Sequence, residues 1–161
     1  MEWFTKTFAA LSTEELYGIV QLRQQVFVVE QNCVYLDADG YDRKALHLFA
    51  VRQETVQQKT MQQQSVIAYC RLLPPGLKYQ EASIGRVCTA LPQRGSGLGR
   101  ELMQRALTLV GESYASESTC VDIRISAQLY LQNFYSSLGF TAVSAPYDED
   151  GIPHIEMLCT P

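Results

Sequence analysis

A chain of 161 residues with 47% apolar and 19% charged side chains can bury roughly 70% of its unfolded surface, and it reads as one domain over residues 1–161. A net charge of −4 argues against a nucleic-acid binder, which usually carries a basic surface. No apolar run approaches the ~18 residues of a membrane span, the N-terminus has no basic and then apolar leader, and five scattered cysteines form no C-x-x-C or disulfide framework, so a reduced, cytoplasmic protein is expected.

The elements follow in chain order. Trp3 to Phe8 suits a short strand. Ser12-Thr-Glu-Glu15 is a capping box, with Ser12 as N-cap, and Leu16, Ile19, Val20, Leu22 and Val26 then recur with helical spacing. Asn32 to Arg43, rich in Asp, Gly and Tyr, reads as a loop. His47–Arg52 and Val66–Leu73 are strand-like, joined by a polar, glutamine-rich connection over Gln53–Gln64. After the breaker Pro74-Pro-Gly76 come a strand over Ala82–Thr89 and a helix from Gly97 to about Val110, with Leu98, Leu102, Ala106 and Val110 on one face. Val121–Ser126 alternates as a strand. Ala127–Leu138 is expected to be a helix stopped by Gly139, and Phe140–Val143 and His154–Cys159 are strands around the acidic turn Asp148-Glu-Asp-Gly151. The pattern is mixed α+β around a central, largely antiparallel sheet.

Three of the ten glycines fall at Gly95, Gly97 and Gly99, between the strand ending at Thr89 and the helix that follows. Glycine allows positive φ and leaves no Cβ in a ligand's way, and a helix N-terminus offers unpaired N–H groups with the positive end of its dipole. Together these make an anion site, most often for phosphate. The loop lacks the lysine of G-x-x-x-x-G-K-[ST], since no lysine follows Lys78. It also lacks the third glycine of G-x-G-x-x-G, since Arg100 and Leu102 stand where that glycine would fall. Four of the five arginines after Lys78, namely Arg86, Arg94, Arg100 and Arg105, cluster around it, a local basic patch suited to a small anionic ligand.

The remaining pattern, Arg94-Gly95-Ser96-Gly97-Leu98-Gly99, resembles the pyrophosphate loop of the GNAT superfamily of acetyl-CoA-dependent N-acyltransferases. Asn133-Phe-Tyr135-Ser-Ser-Leu-Gly-Phe140 resembles that family's second motif, a helix-borne tyrosine beside the cofactor sulfur. Leu22-Arg23 through Glu30-Gln31, Ile84–Val87 and Asp150–Ile155 are similar to its ElaA-like branch. The resemblance implies a three-layer α+β fold with a twisted central sheet and acetyl-CoA as co-substrate. It implies that backbone groups of Val87, Cys88 and Thr89, with Asn133, hold the pantetheine arm. The N–H groups from Arg94 to Arg100 (Gly95, Ser96, Gly97, Leu98 and Gly99 among them) would hold the pyrophosphate. Tyr135 would act as general acid toward the departing thiolate, a role suited to a phenol with a reference pKa of about 10.

The acceptor side carries less. The acceptor is expected to be a small-molecule or peptide amine, with neither nucleic acid nor membrane as partner; a homodimer is open. Glu30, His47 and His154 are alternative bases for the amine proton. Arg23 either binds an acidic acceptor or pairs with an acid of the Asp37–Asp42 loop. No metal is expected: Asp37-Ala-Asp39-Gly40 starts like a calcium loop, but its glycine comes too early and position 12 would be Leu48. Cys88 would lie near a bound thioester, without a neighbour in sequence to activate it. A CoA-binding module without turnover and an acyl-homoserine-lactone-synthase-like enzyme are the alternative functions.

Overall fold

A computed structural model describes residues 1–54, 63–115 and 120–160. Strands β1 (Glu2–Thr7), β2 (Leu46–Glu54), β3 (Gln63–Leu73) and β4 (Ala82–Thr89) form an antiparallel meander. Strand β5 (Ile123–Gln128) then joins β4 in parallel, and β6 (Thr141–Ala142) and β7 (Tyr147–Glu149) both pair with β8 (Ile152–Cys159), which is antiparallel to β5. The sheet order is β1-β2-β3-β4-β5-β8-β6, and β4–β5 is its one parallel pair among the described residues. Most of the Gln53–Gln64 connection lies outside those residues. No described helix is long and apolar enough to cross a membrane.

Alternation along the strands builds two cores, one on each face of the sheet. Leu48, Ala50, Cys70, Leu72 and Ile84 pack under helix α2 (Leu98–Tyr114), which buries Leu98, Leu102, Met103, Ala106 and Val110. Phe49, Val51 and Tyr69 face the other way, against Ile19 and Leu22 of helix α1 (Thr13–Arg23) and Val26 beyond it. The Ser12 capping box forms in both directions: Glu15 N–H donates to Ser12 Oγ at 3.2 Å, and Ser12 N–H donates to Glu15 Oε2 at 2.9 Å. Past Arg23 the chain winds more widely, as a π-helix over Gln24–Glu30, a departure that often marks functional sites.

Two expectations need correcting. The helix expected over Ala127–Leu138 shrinks to α3 (Gln132–Ser136) after a 3₁₀ turn at Leu129–Leu131. Its first two residues belong to β5, because Ala127 pairs with Ile155 and Gln128 with His154. The strand expected over Phe140–Val143 is only Thr141–Ala142. Gly139, at φ 95°, does stop the helix as expected. The acidic turn closes a β7–β8 hairpin whose two loop residues, Asp150 and Gly151, have φ of 53° and 80°, the mirror-image turn that suits strand twist.

Candidate active site

The site begins where two strands part. Strands β4 and β5 pair only at Ala82–Ile123 and Ser83–Arg124. Beyond Ser83, β5 stays with β8, and the β4 edge has no neighbour on that side among the described residues. A cleft of about 800 Å³ opens in the gap. A bulge sharpens it: Tyr69 pairs with Cys88 and Arg71 with Gly85, so Arg86 and Val87 together oppose one residue of β3. Arg86 takes φ 54° there, a strained left-handed conformation for a residue with a side chain. The extra residue flips the side-chain alternation. Ala82 and Ile84 face the α2 core, whereas Cys88 faces the α1 core.

Arg86 is held by a buried ionic cluster. Its Nε donates to Asp37 Oδ1 at 2.6 Å and its guanidinium also reaches Asp39 Oδ2 at 3.2 Å. Arg23 Nε donates to Asp37 Oδ2 at 2.8 Å, Arg23 also pairs with Asp42, and Arg71 pairs with Asp39 and Asp42. Three arginines thus balance three aspartates, and the Asp37–Asp42 loop is fastened to the cleft wall. The carboxylates of the calcium-like stretch are committed to these ion pairs. Arg23 is 2% exposed with every guanidinium nitrogen engaged, so it pairs with the loop and is not placed to bind an acceptor.

At the cleft's other end the chain turns through Gly95 and Gly97, at φ 79° and 89°, into the N-terminus of α2. The first N–H groups that turn back into the helix are those of Arg100 and Glu101, both donating to Gly97 C=O. Those of Leu98 and Gly99 precede the helical ladder. A Cβ built on Gly95, Gly97 or Gly99 meets nothing within 4 Å, so the cradle is open.

Of the residues singled out from the sequence, Glu30, Val87, Cys88, Thr89, Arg94, Gly95, Gly97, Gly99, Arg100, Tyr135 and His154 line this cleft. The side chain of Leu98 is buried in the α2 core, Ser96 Oγ donates to Gln93 C=O at 2.7 Å, and Asn133 is exposed outside the lining. Tyr135 is 6% exposed, with Phe134 and Phe140 edge-on to its ring at 5.1 and 5.9 Å. Its hydroxyl has no hydrogen-bond partner among the described residues, and burial pushes its pKa up, so it keeps its proton at neutral pH. Burial also pushes the Cys88 thiol up, which leaves it a core side chain and a poor nucleophile.

The three candidate bases separate on geometry. His47 is 1% exposed, with Nδ1 2.9 Å from the Tyr69 hydroxyl and Nε2 3.0 Å from Asp42 C=O, and burial lowers its pKa. It is a structural histidine away from the cleft, and the expectation that it serves as a base is corrected. Glu30 accepts from Arg94 at 2.6 Å, a pair that links the π-helical segment to the glycine loop. His154 lines the cleft from β8.

The sequence reading missed the strained Arg86 and also a bridge across the cleft. The side-chain amides of Gln31 and Gln128 exchange hydrogen bonds of 3.3 and 3.1 Å, joining the α1 side to β5. Gln128 lay inside the expected helix, which hid its place on a strand edge.

Comparison with known proteins places these features in a family. A family model described as an acetyltransferase (GNAT) domain matches residues 44–161. A UPF0039 protein of Synechocystis is 41% identical over 98% of this chain and 94% of its own length. The crystal structure of an acyl-CoA N-acyltransferase from Pseudomonas aeruginosa is 38% identical and superposes with a TM-score of 0.86 over 99% of this chain and all of that one. The crystal structure of Escherichia coli ElaA is 36% identical, with a TM-score of 0.82 over 99% of both chains.

Proposed function

The chain belongs to the acetyltransferase (GNAT) family, whose chemistry is acyl transfer, and from that premise we propose that it moves an acetyl group from acetyl-CoA to an amine by direct attack in a ternary complex. The observation that carries this reading is the meeting, in one cleft, of a glycine-turned helix N-terminus, an open β4 edge and a protonated Tyr135.

The N–H groups of the Arg94–Arg100 loop and the dipole of α2 suit the two negative charges of a pyrophosphate. The unpaired edge of β4 at Val87–Thr89, where among the described residues only Thr89 C=O is taken, by the Arg94 guanidinium at 3.2 and 3.3 Å, offers backbone groups to the amides of a pantetheine arm, as a further strand would. A thioester at the end of that arm lies where the strands part, with β4 N–H groups at hand to polarise its carbonyl. The amine nitrogen attacks the carbonyl carbon, the C–N bond forms and the C–S bond breaks. Tyr135 gives the thiolate its proton and recovers one from solvent. Much of the rate comes from holding both reactants together.

The loop glycines are expected to separate folding from binding. Gly97 sits at φ 89°, so Gly97→Ala lowers stability by about 1–2 kcal/mol through backbone strain alone. Gly99 is helical with free space around it, so Gly99→Ala leaves stability unchanged or raises it by about 0.5–1 kcal/mol, while its methyl group enters the cradle and weakens acetyl-CoA binding. Urea unfolding and calorimetric titration read the two effects. The mechanism itself is tested by initial rates with both substrates varied. Intersecting double-reciprocal lines support direct attack, and parallel lines mean an acyl-enzyme.

A further inference from the structure

His154 stands on β8 opposite Gln128 of β5 and opposite Tyr147 of β7, at the point where β5 has left β4. Its Nδ1 lies 2.8 Å from Ile152 C=O. A carbonyl oxygen can only accept, so Nδ1 carries the hydrogen and the neutral ring holds its lone pair at Nε2. Nε2 has no hydrogen-bond partner among the described residues. The ring also stacks on Tyr147, with centroids 6.2 Å apart and planes 29° apart, so its direction is set twice. The other candidates differ on this point: Glu30 is taken up by Arg94, and His47 has both nitrogens engaged away from the cleft.

We propose that His154 is the general base of the reaction, accepting at Nε2 the proton that the amine nitrogen loses as it attacks. The proposal rests on the acetyl-transfer reading above. Protons balance: one leaves nitrogen for Nε2, Tyr135 gives one to sulfur, and solvent later returns His154 and Tyr135 to their starting states. The ionisable groups of the surrounding elements are Tyr147, Asp148 and Glu149 of β7, Asp150 of the turn, Glu156 of β8 and Arg124 of β5, with Asp148 accepting from Gly151 N–H. Glu30, Cys33, Tyr35 and Arg86 line the same cleft. Arg124 is paired with Glu81, Arg86 with Asp37 and Glu30 with Arg94. Glu149 accepts from Ser126 at 2.9 Å, and neither Glu149 nor Asp150 has an ion-pair partner among the described residues. The cleft in which the imidazolium forms is thus lined by two carboxylates and one ammonium, that of Lys78, without ion-pair partners among the described residues.

The test is His154→Asn in the full chain, because the Asn amide can keep the donation to Ile152 while removing the base, with His154→Gln as a second variant. Turnover of an accepted amine is followed from about pH 6 to pH 10, beside calorimetric binding of acetyl-CoA. The expected result is a fall in kcat of about 10²–10³-fold at pH 7 with acetyl-CoA affinity within about twofold. The deficit shrinks steadily toward pH 10, where hydroxide takes the nitrogen's proton in place of the imidazole. A fall by the same factor at every pH, or no fall, overturns the assignment. If the unmodified protein releases no thiol with any amine, the acetyl-transfer reading falls and the base with it. If the protein turns over and only the pH signature is missing, the acetyl-transfer reading stands and His154 is removed from it.

Discussion

Tyr135→Phe is expected to reduce turnover by about 10²–10⁴-fold, the usual contribution of a positioned acid, with acetyl-CoA affinity within about twofold of the parent. The variant is a clean one. The ring contacts with Phe134 and Phe140 are kept, and the hydroxyl removed has no partner among the described residues, so folding has little to lose. What is lost is a buried phenol opening on the cleft, held protonated by its surroundings. A thiolate leaving without that proton must take one from water. Full turnover of the variant across the pH range, at unchanged affinity, would mean that Tyr135 is a core aromatic and that the thiolate is protonated another way.

Asp37→Ala is expected to lower stability by about 3–5 kcal/mol, the range for breaking one side of a buried ion pair. Asp37 is 8% exposed and accepts from Arg23, Arg86 and the Tyr35 hydroxyl, the last at 2.9 Å. Its removal leaves two guanidinium groups short of a carboxylate and frees Arg86 from the contact that holds it in the bulge. Urea unfolding measures the first effect. A loss below about 1 kcal/mol would mean that the cluster is solvated well enough to do without Asp37.

The same cluster sets an acid limit. Burial alone would raise Asp39, but the hydrogen bonds and charge of Arg71 outweigh it and hold Asp39 at about 2. Asp42 is held down in the same way by Arg23 and Arg71. A carboxylate depressed in the folded state contributes stability above its unfolded pKa of about 3.9, and that contribution fades as pH falls through the folded value. The urea midpoint is therefore expected to drop between about pH 4 and pH 2.

Local signals in the sequence mapped well onto the structure. Ser12 with Glu15, the span Ala82–Thr89, the turn into α2 at Gly97 and the stop at Gly139 all appeared where local chemistry put them, because each depends on neighbours a few residues away. What was hidden depends on distant partners. Ala127, Leu131, Phe134 and Leu138 have a spacing that suits a helix, yet pairing with β8 draws Ala127 and Gln128 into the sheet. The bulge falls at Arg86, just past Gly85, the one sign of it in the sequence; a strict alternation from Ala82 would have put Cys88 on the wrong face. His47, a candidate base from its residue type, has both nitrogens occupied in the fold by Tyr69 and the Asp42 carbonyl. Arg23, Asp37, Arg71 and Arg86 come together only through the fold.

The most direct test of the account is release of CoA thiol from acetyl-CoA by the purified protein over a broad panel of small-molecule and peptide amines, with the products weighed by mass spectrometry. Thiol release that requires an amine and is matched mole for mole by the N-acetylated amine is the expected result. Tight acetyl-CoA binding with no amine-dependent thiol release across the panel would contradict acetyl transfer and leave the chain a CoA-binding module.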